Sequence, residues 1–411
     1  MTKTRTVSFD EAVNESLLLC QTLPSTEWIS LVEALNRTLC SDIVCQKNLP
    51  SFNNAAMDGF AIRYADKGKT LRIRARILAG QNVEACLTEN ECYKIMTGAK
   101  VPSDTDTIIP FEECLNVNEY SVDIPLHVKK GNALRLKGEE QSLGSVLLSK
   151  GEQLNSSCIA LLASQGITHV AVYRRLNIAV LSTGDELKKP WENASEDEIY
   201  DVNAFALISL LKEFGFDAKY VGVVPDDLEI ATTYFHSLKA YDVIISSGGV
   251  SMGEADFVEK ALVANGFQSS FHGINIKPGK PTMMGLMGNT IVASMPGNPL
   301  AAYVNAFIFL IPLLRKKEGN KNFTFQYTLA KNISNFDVRS GRVNIVLGKL
   351  HNGTFNPYNA NKYGSGMITP LIKSSAILLC DEATMTIKNT QFVKILPFNA
   401  NFTEIIEIFK N

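Results

Sequence analysis

The residues able to act on a charged substrate gather in a few short segments of this chain. Ser182-Thr183-Gly184-Asp185-Glu186 joins hydroxyls, a glycine and two carboxylates. Pro225-Asp226-Asp227 adds acids, and Ser246-Ser247-Gly248-Gly249-Val250-Ser251 runs on to Asp256. Glycines between a strand and a helix let backbone N–H groups approach an anion, and the helix N-terminus adds a favourable dipole. The alternative is a glycine loop that only turns the chain. It matches neither Gly-x-Gly-x-x-Gly nor a Walker loop, which disfavours ordinary dinucleotide and P-loop chemistry. Glu186, Asp226 and Asp256 suit a hard ion such as Mg²⁺, which takes carboxylates together with substrate phosphate oxygens. Singly, each also reads as a cap or turn residue. Lys277-Pro278-Gly279-Lys280 sets two ammonium groups about one turn, either solvated or facing an oxyanion. Pro296-Gly297-Asn298-Pro299 is a further turn on the same side. Far upstream stand Met57-Asp58-Gly59 and Met96-Thr97-Gly98-Ala99, where Asp58 reads locally as a turn acid. The five histidines show no ligand spacing, and Ser247 does not sit in Gly-x-Ser-x-Gly.

What must position these segments is an alternation of strands and helices. Asn177–Leu181, Ala218–Val224 and Asp242–Ser246 read as strands, each followed by a helix: Asn203–Phe214, Leu228–Leu238 and Ala255–Asn265. Strands near Thr282–Gly285 and Thr290–Ser294 lead into an apolar helix, Leu300–Leu314. This pattern predicts a doubly wound, parallel α/β sheet, which binds ligands beyond the carboxyl ends of its strands. The chemistry-bearing segments fall on that rim. Ser8 and Glu11 predict a capping box opening a helix to about Cys20, and a second helix is expected over Glu27–Leu39. Leu71–Ile77 alternates with period two and puts three arginines on one strand face, either solvated or anion-binding. Ser156–Gln165 reads as a helix. Arg315–Asn322 is charged, contains glycine and looks like a boundary. After it, Phe325–Leu329, Val343–Leu347, Ala376–Cys380 and Gln391–Pro397 suggest a small β domain.

With 411 residues, 45% of them hydrophobic, the chain can form two to four domains. Its net charge of −2 excludes wholesale binding to nucleic acid or a membrane surface. The eight cysteines show no Cys-x-x-Cys spacing, so neither a zinc site nor a disulfide framework is expected. The N-terminus lacks the apolar core of a secretory signal. Leu300–Leu314 contains Asn305 and Pro312 and falls short of the ~20 residues of a membrane span. A cytoplasmic protein without a membrane or nucleic-acid partner is the expectation.

Six motifs in order are specific enough to carry a resemblance. They are Asn53-Asn54-Ala55-Ala56-Met57-Asp58-Gly59, Thr97-Gly98-Ala99, Ser182-Thr183-Gly184-Asp185-Glu186-Leu187, the segment from Ser246 to Asp256, Lys277–Pro281 and Pro296–Pro299. Nearly end to end, the chain closely resembles the molybdopterin molybdenumtransferase (MoeA) family and the related C-terminal region of gephyrin. The resemblance implies a multidomain α/β fold. An elongated, discontinuous first domain (1–50 and 142–176) would hold an inserted mixed β domain (51–141). An α/β molybdopterin-binding domain (177–325) and a C-terminal β-barrel-like domain (326–411) would follow. It also implies a homodimer with a composite active site. The implied reaction inserts molybdate into adenylylated molybdopterin with Mg²⁺, releasing AMP and giving molybdenum cofactor.

By the same resemblance, Asp58, Thr97, Glu186 and Asp256 would be catalytic, and Glu186, Asp226 and Asp256 would hold the metal. Ser182, Gly184, Asp226, Ser247, Gly248, Gly249, Ser251, Pro296, Gly297 and Asn298 would bind the substrate. Molybdate would lie on Lys277, Lys280, Arg342 and Ser365. The chain departs from the family pattern in places. Glu140 stands where an aspartate is usual, Ala55 replaces a usual serine, and Ala301 lacks a hydroxyl that some members carry. Two rival readings are a molybdopterin adenylyltransferase and a binding scaffold. The upstream Met-Asp-Gly segment and the C-terminal β domain weigh against the first. The acids and lysines on the rim weigh against the second.

Overall fold

A computed structural model describes residues 5–250 and 257–403. The chain divides into two compact units, 1–41 with 150–159 and 168–411, and 42–149 with 160–167. The second unit contains the whole of 51–141.

In the first unit a six-stranded sheet runs in the order Ala218–Val224, Ile178–Thr183, Val243–Ser247, Thr290–Met295, Met283–Met287, Phe267–His272. Period-two alternation buries both of its faces. Ile178, Val180, Val243 and Ile245 face one core with helices Asn203–Glu213 and Phe9–Leu18, while Ala179, Leu181 and Ile244 face another with Leu228–Ser237 and Phe257–Ala264. The Ser8–Glu11 capping box is present at the start of Phe9–Leu18.

The sheet is not wholly parallel, which corrects the expectation. The first four strands pair in parallel, but Met283–Met287 pairs antiparallel with both its neighbours. Gly288 and Asn289 alone link it to Thr290–Met295, with Gly288 at φ +63°. A two-residue link permits only a hairpin, since a parallel pair needs a crossover of a dozen residues.

The expected helix over Glu27–Leu39 is also corrected. Thr26–Ser30 is a strand paired antiparallel with His169–Tyr173, followed by a 3₁₀ turn at Leu31–Glu33. The β-branched and aromatic side chains of Thr26, Trp28 and Ile29 suit that pairing, and tertiary context overrides a weak helical period.

Pro299–Lys317 is a continuous helix, long and apolar enough to cross a membrane, but 83% of its most apolar window is buried inside the fold. Its π-helical stretch Ala306–Leu310 precedes Pro312, which has no N–H to give to a carbonyl four residues back. The charged segment after it is packed rather than solvated. Arg315, Lys317, Glu318 and Asn320 are buried, Lys317 Nζ donates to the Thr22 carbonyl at 2.8 Å, and burial pushes the Glu318 carboxyl up to about 7.

The C-terminal strands close into a barrel. Val343–His351, Thr354–Pro357, Thr328–Asn332, Phe392–Pro397 and Ala376–Cys380 pair in turn, and the last returns to the first. A short strand, Ile276–Lys277, adds in parallel to Val343–Asn344. The second unit is built on a five-stranded sheet of Thr107–Pro110, Gly59–Ile62, Glu91–Ile95, Thr70–Ile77 and Ser121–Asp123. Arg72, Arg74 and Arg76 lie exposed along one of its strands, Arg72 paired with Glu91.

Candidate active site

The carboxyl ends of Ile178–Thr183, Ala218–Val224 and Val243–Ser247 open on a cleft of about 960 Å³. Its floor is Ser247-Gly248-Gly249-Val250. Gly248 has φ +91° and Gly249 φ +62°. A Cβ on Gly248 would lie 2.7 Å from the Thr183 carbonyl oxygen, and one on Gly249 would lie 2.3 Å from Val258 Cγ2. Only glycine permits this path. Ser247 Oγ donates to the Pro296 carbonyl at 3.0 Å and accepts from Asn203 Nδ2 at 2.8 Å. Asn203 Nδ2 also donates to the Gly297 carbonyl at 2.7 Å. One buried hydroxyl and one amide therefore tie the glycine loop to the Pro296–Pro299 turn and to the start of a helix. Gly184, Glu186, Asp226, Pro296, Gly297 and Asn298 all line the same cleft.

Ser182 is placed elsewhere. It is buried, and its Oγ donates to Asp201 Oδ1 at 2.8 Å. Asp201 also accepts from the Ala204 N–H at 3.1 Å and the Tyr220 hydroxyl at 3.2 Å. Ser182 thus fixes the segment that carries Asn203 and is not among the cleft-lining residues. Neither Asp201 nor Asn203 stands out in the sequence, because polar residues at a helix start are ordinary.

The acids gather at one edge of the cleft. Asp226 N–H donates to Asp185 Oδ1 at 3.1 Å. Burial first, then the charges of Asp185 and Glu186, hold the Asp226 carboxyl above the usual aspartate value. Crowded carboxylates of this kind suit a divalent cation, and Mg²⁺ is commonly held by one or two carboxylates plus phosphate oxygens. Among the described residues no group of three metal-binding side chains occurs. Asp256, the third acid expected from sequence, and Ser251 lie outside the described residues.

A second pocket, of about 840 Å³, adjoins the cleft: Gly279 and Pro281 line both. It brings together Lys277, Lys280, Arg342 and Ser365, all four residues expected to meet molybdate. The pairing of Ile276 with Val343 and of Lys277 with Asn344 joins segments over sixty positions apart in sequence. Asn298 Nδ2 donates to Ser365 Oγ at 3.1 Å, linking the two pockets. The Lys277–Lys280 turn is fixed from beneath by Asn305, whose Nδ2 donates to the Gly279 carbonyl at 2.8 Å and to Thr282 Oγ1 at 2.6 Å. In sequence Asn305 is only a polar interruption of an apolar helix. Its depth beneath the turn is a tertiary fact.

In the second unit, Asp58 and Thr97 meet. Asp58 Oδ1 accepts from the Thr97 N–H and from Thr97 Oγ1, both at 2.7 Å. These two bonds, the backbone one foremost, hold the Asp58 carboxyl below the usual value. Gly98 N–H donates to the Ala55 carbonyl at 2.8 Å, so the Met-Asp-Gly and Thr-Gly-Ala segments form one cluster. A Cβ on Gly59 would lie 2.1 Å from the Ile109 carbonyl oxygen, which explains the glycine after Asp58. Glu140 is exposed and its N–H donates to the Leu49 carbonyl at 3.0 Å.

Residues 7–166 match the MoeA N-terminal region (domain I and II), and residues 179–316 match a probable molybdopterin binding domain. The chain is 32% identical over 400 residues to a molybdopterin molybdenumtransferase of Haemophilus influenzae, covering 96% of this chain and 99% of that one. It is 31% identical over 355 residues to gephyrin of Dictyostelium discoideum, covering 75% of this chain and 49% of that protein. The crystal structure of a molybdopterin biosynthesis MoeA protein from Pyrococcus horikoshii superposes with TM-score 0.83 at 26% identity, covering 96% of this chain and all of that one. Similarity of this extent, with the motif residues gathered as described, places the chain in the molybdopterin molybdenumtransferase (MoeA) family.

Proposed function

We propose that this chain inserts molybdate into adenylylated molybdopterin, releasing AMP and giving molybdenum cofactor, in the cytoplasm and as a homodimer. The observation that carries this reading is the pair of adjoining pockets with opposite chemistry. One is lined by a glycine loop and carboxylates, which suit a phosphoanhydride with a divalent cation, and the other by cations, which suit a small dianion. In this reading the glycine loop Ser247–Val250 cradles the phosphates, and Asn203 and Ser247 hold the loop in shape. Glu186 and Asp226, with Asp256, would hold Mg²⁺, which offsets the clustered phosphate charge when bound. Lys277, Lys280 and Arg342 hold molybdate through charge-assisted bonds, with the Ser365 hydroxyl fixing its orientation. Water attacks the adenylyl phosphorus, the phosphoanhydride bond breaks, and AMP leaves the molybdopterin phosphate; the two thiol sulfurs of molybdopterin bind molybdenum as one molybdate oxygen departs as water with the thiol protons. The four-domain division of the chain belongs to the same reading. Similarity across nearly the full length of a transferase favours it over an adenylyltransferase or a scaffold.

AMP release from adenylylated molybdopterin, measured with and without molybdate, tests the activity. Each charged hydrogen bond contributes roughly 1.5–3 kcal/mol. Lys280→Ala should therefore raise the molybdate needed for half-maximal turnover about ten- to a hundredfold, and high molybdate should restore most of the rate. Equal activity of the variant and the parent at limiting molybdate would remove Lys280 from the site. The dimer reading holds that each cleft is completed by Asp58 of the partner subunit and Thr97 of the partner subunit. Mixing inactive Asp58→Asn and Asp256→Asn chains should then restore activity, and no recovery after confirmed exchange of subunits would refute a shared site.

A further inference from the structure

The oxyanion pocket carries one cation beyond those that the motifs mark. Arg339 lines it together with Lys277, Lys280 and Arg342. Among the described residues, none of the four lies within 4.0 Å of a carboxylate. The acid lining the pocket, Asp337, has its Oδ1 engaged by the Thr386 hydroxyl at 2.7 Å.

Arg339 is not on a loose loop. Asn344, 5% exposed, donates through Nδ2 to the Arg339 carbonyl at 2.8 Å and to the Arg342 carbonyl at 3.0 Å. One buried amide thus sets the backbone of both arginines. The turn between them is pinned at Gly341, φ +86°, whose N–H donates to the Glu382 carbonyl at 2.7 Å and whose carbonyl accepts from Asn275 Nδ2 at 2.9 Å. Asn275 immediately precedes the strand that brings in Lys277. Neutral amides do all this holding, so no cation loses its charge to the scaffold. Like charges kept close repel until an anion enters between them. A guanidinium presents a planar fork that matches two oxygens of an oxyanion.

We propose that Arg339 is a fourth oxyanion-binding cation of this pocket, contacting the bound tetrahedral dianion together with Arg342. The proposal rests on the molybdate reading of the pocket. It is tested by titrating inorganic molybdate calorimetrically into the purified full-length parent, Arg339→Ala, Arg339→Lys and Lys280→Ala, with AMP titrated separately as the control. Arg339→Ala should weaken molybdate binding about tenfold, the lower end of the range for one charged hydrogen bond because Arg339 is exposed. Arg339→Lys should keep part of the affinity, and AMP binding should stay unchanged in both. In turnover, KM for molybdate should rise while kcat holds. If Lys280→Ala weakens molybdate and Arg339→Ala does not, Arg339 is a solvated arginine and the proposal falls. If neither weakens it, the molybdate reading of the pocket falls as well.

Discussion

In the proposed reading the two adjoining pockets solve the problem of holding an anion in different ways. The cleft does so with backbone: its glycine loop stands at the end of a buried strand with left-handed φ at Gly248 and Gly249, and the Gly248 N–H is spent on the Met295 carbonyl at 3.2 Å, which leaves the cradle to the residues after it. The second pocket does so with side chains: four cations stand on two turns that buried amides fix in place. A backbone site cannot be changed one group at a time, because the geometry belongs to the whole loop. A side-chain site can lose one cation and keep its shape. The cleft should therefore fail abruptly on mutation, and the second pocket by degrees.

The sharpest break should come from Gly248→Ala. Its Cβ would lie 2.7 Å from a backbone oxygen at φ +91°, so the loop must shift. Left-handed strain and overpacking together cost about 2–4 kcal/mol. AMP binding and turnover should be lost, while molybdate binding measured calorimetrically persists. Loss of both ligands together would show that the two pockets are not separable.

Asn305→Leu attacks the second pocket from beneath. It removes the two hydrogen bonds from Asn305 and leaves the Gly279 carbonyl and the Thr282 hydroxyl only their bond to each other, at 3.0 Å. Each lost bond costs about 0.5–1.5 kcal/mol. The thermal midpoint should fall by several degrees and molybdate affinity with it, while AMP affinity is kept. An unchanged midpoint would mean that the turn stands without Asn305.

Asp226→Asn gives the smallest change in stability and is the most diagnostic for function. The folded carboxyl titrates above its usual value, so between that value and the folded one the native state binds more protons than the unfolded state. Ionising Asp226 therefore lowers stability as pH rises through that window. The amide removes this term, so at neutral pH the variant should be at least as stable as the parent while turnover falls. A destabilised variant would make Asp226 a structural residue rather than a site residue.

Much of the cleft is legible in the sequence because its parts are local. Ser246–Val250 and Pro296–Pro299 each show their glycines and turns within a few residues, and the strand–helix alternation indicates which ends they occupy. The second pocket is legible only through resemblance. Nothing local to Ser365 or Arg342 predicts a ligand, and Arg339, Asn344 and Asn275 are missed because their roles depend on Ile276 pairing with Val343 across the chain. Ser182 misleads for the opposite reason: its motif is conspicuous, but its hydroxyl turns inward to Asp201. The parallel sheet is overextended because strand–helix alternation carries no strand direction, and only the two-residue Gly288-Asn289 link imposes the antiparallel hairpin. The segment 315–322 looks like a boundary because it is charged and contains glycine, whereas Arg315 and Lys317 reach backbone carbonyls.

The hydrogen bond from Asn298 to Ser365, with the Leu300 N–H donating to the Ser365 carbonyl at 3.2 Å, gives the pockets a common part. A dianion that reorients the Ser365 hydroxyl changes what Asn298 can offer the neighbouring cleft. Whatever factor molybdate imposes on nucleotide affinity, the nucleotide must impose on molybdate, because the two binding steps close one thermodynamic cycle. A bond worth a kilocalorie or so is then enough to change the affinity for each substrate about fivefold once the other is in place, without any movement of the fold.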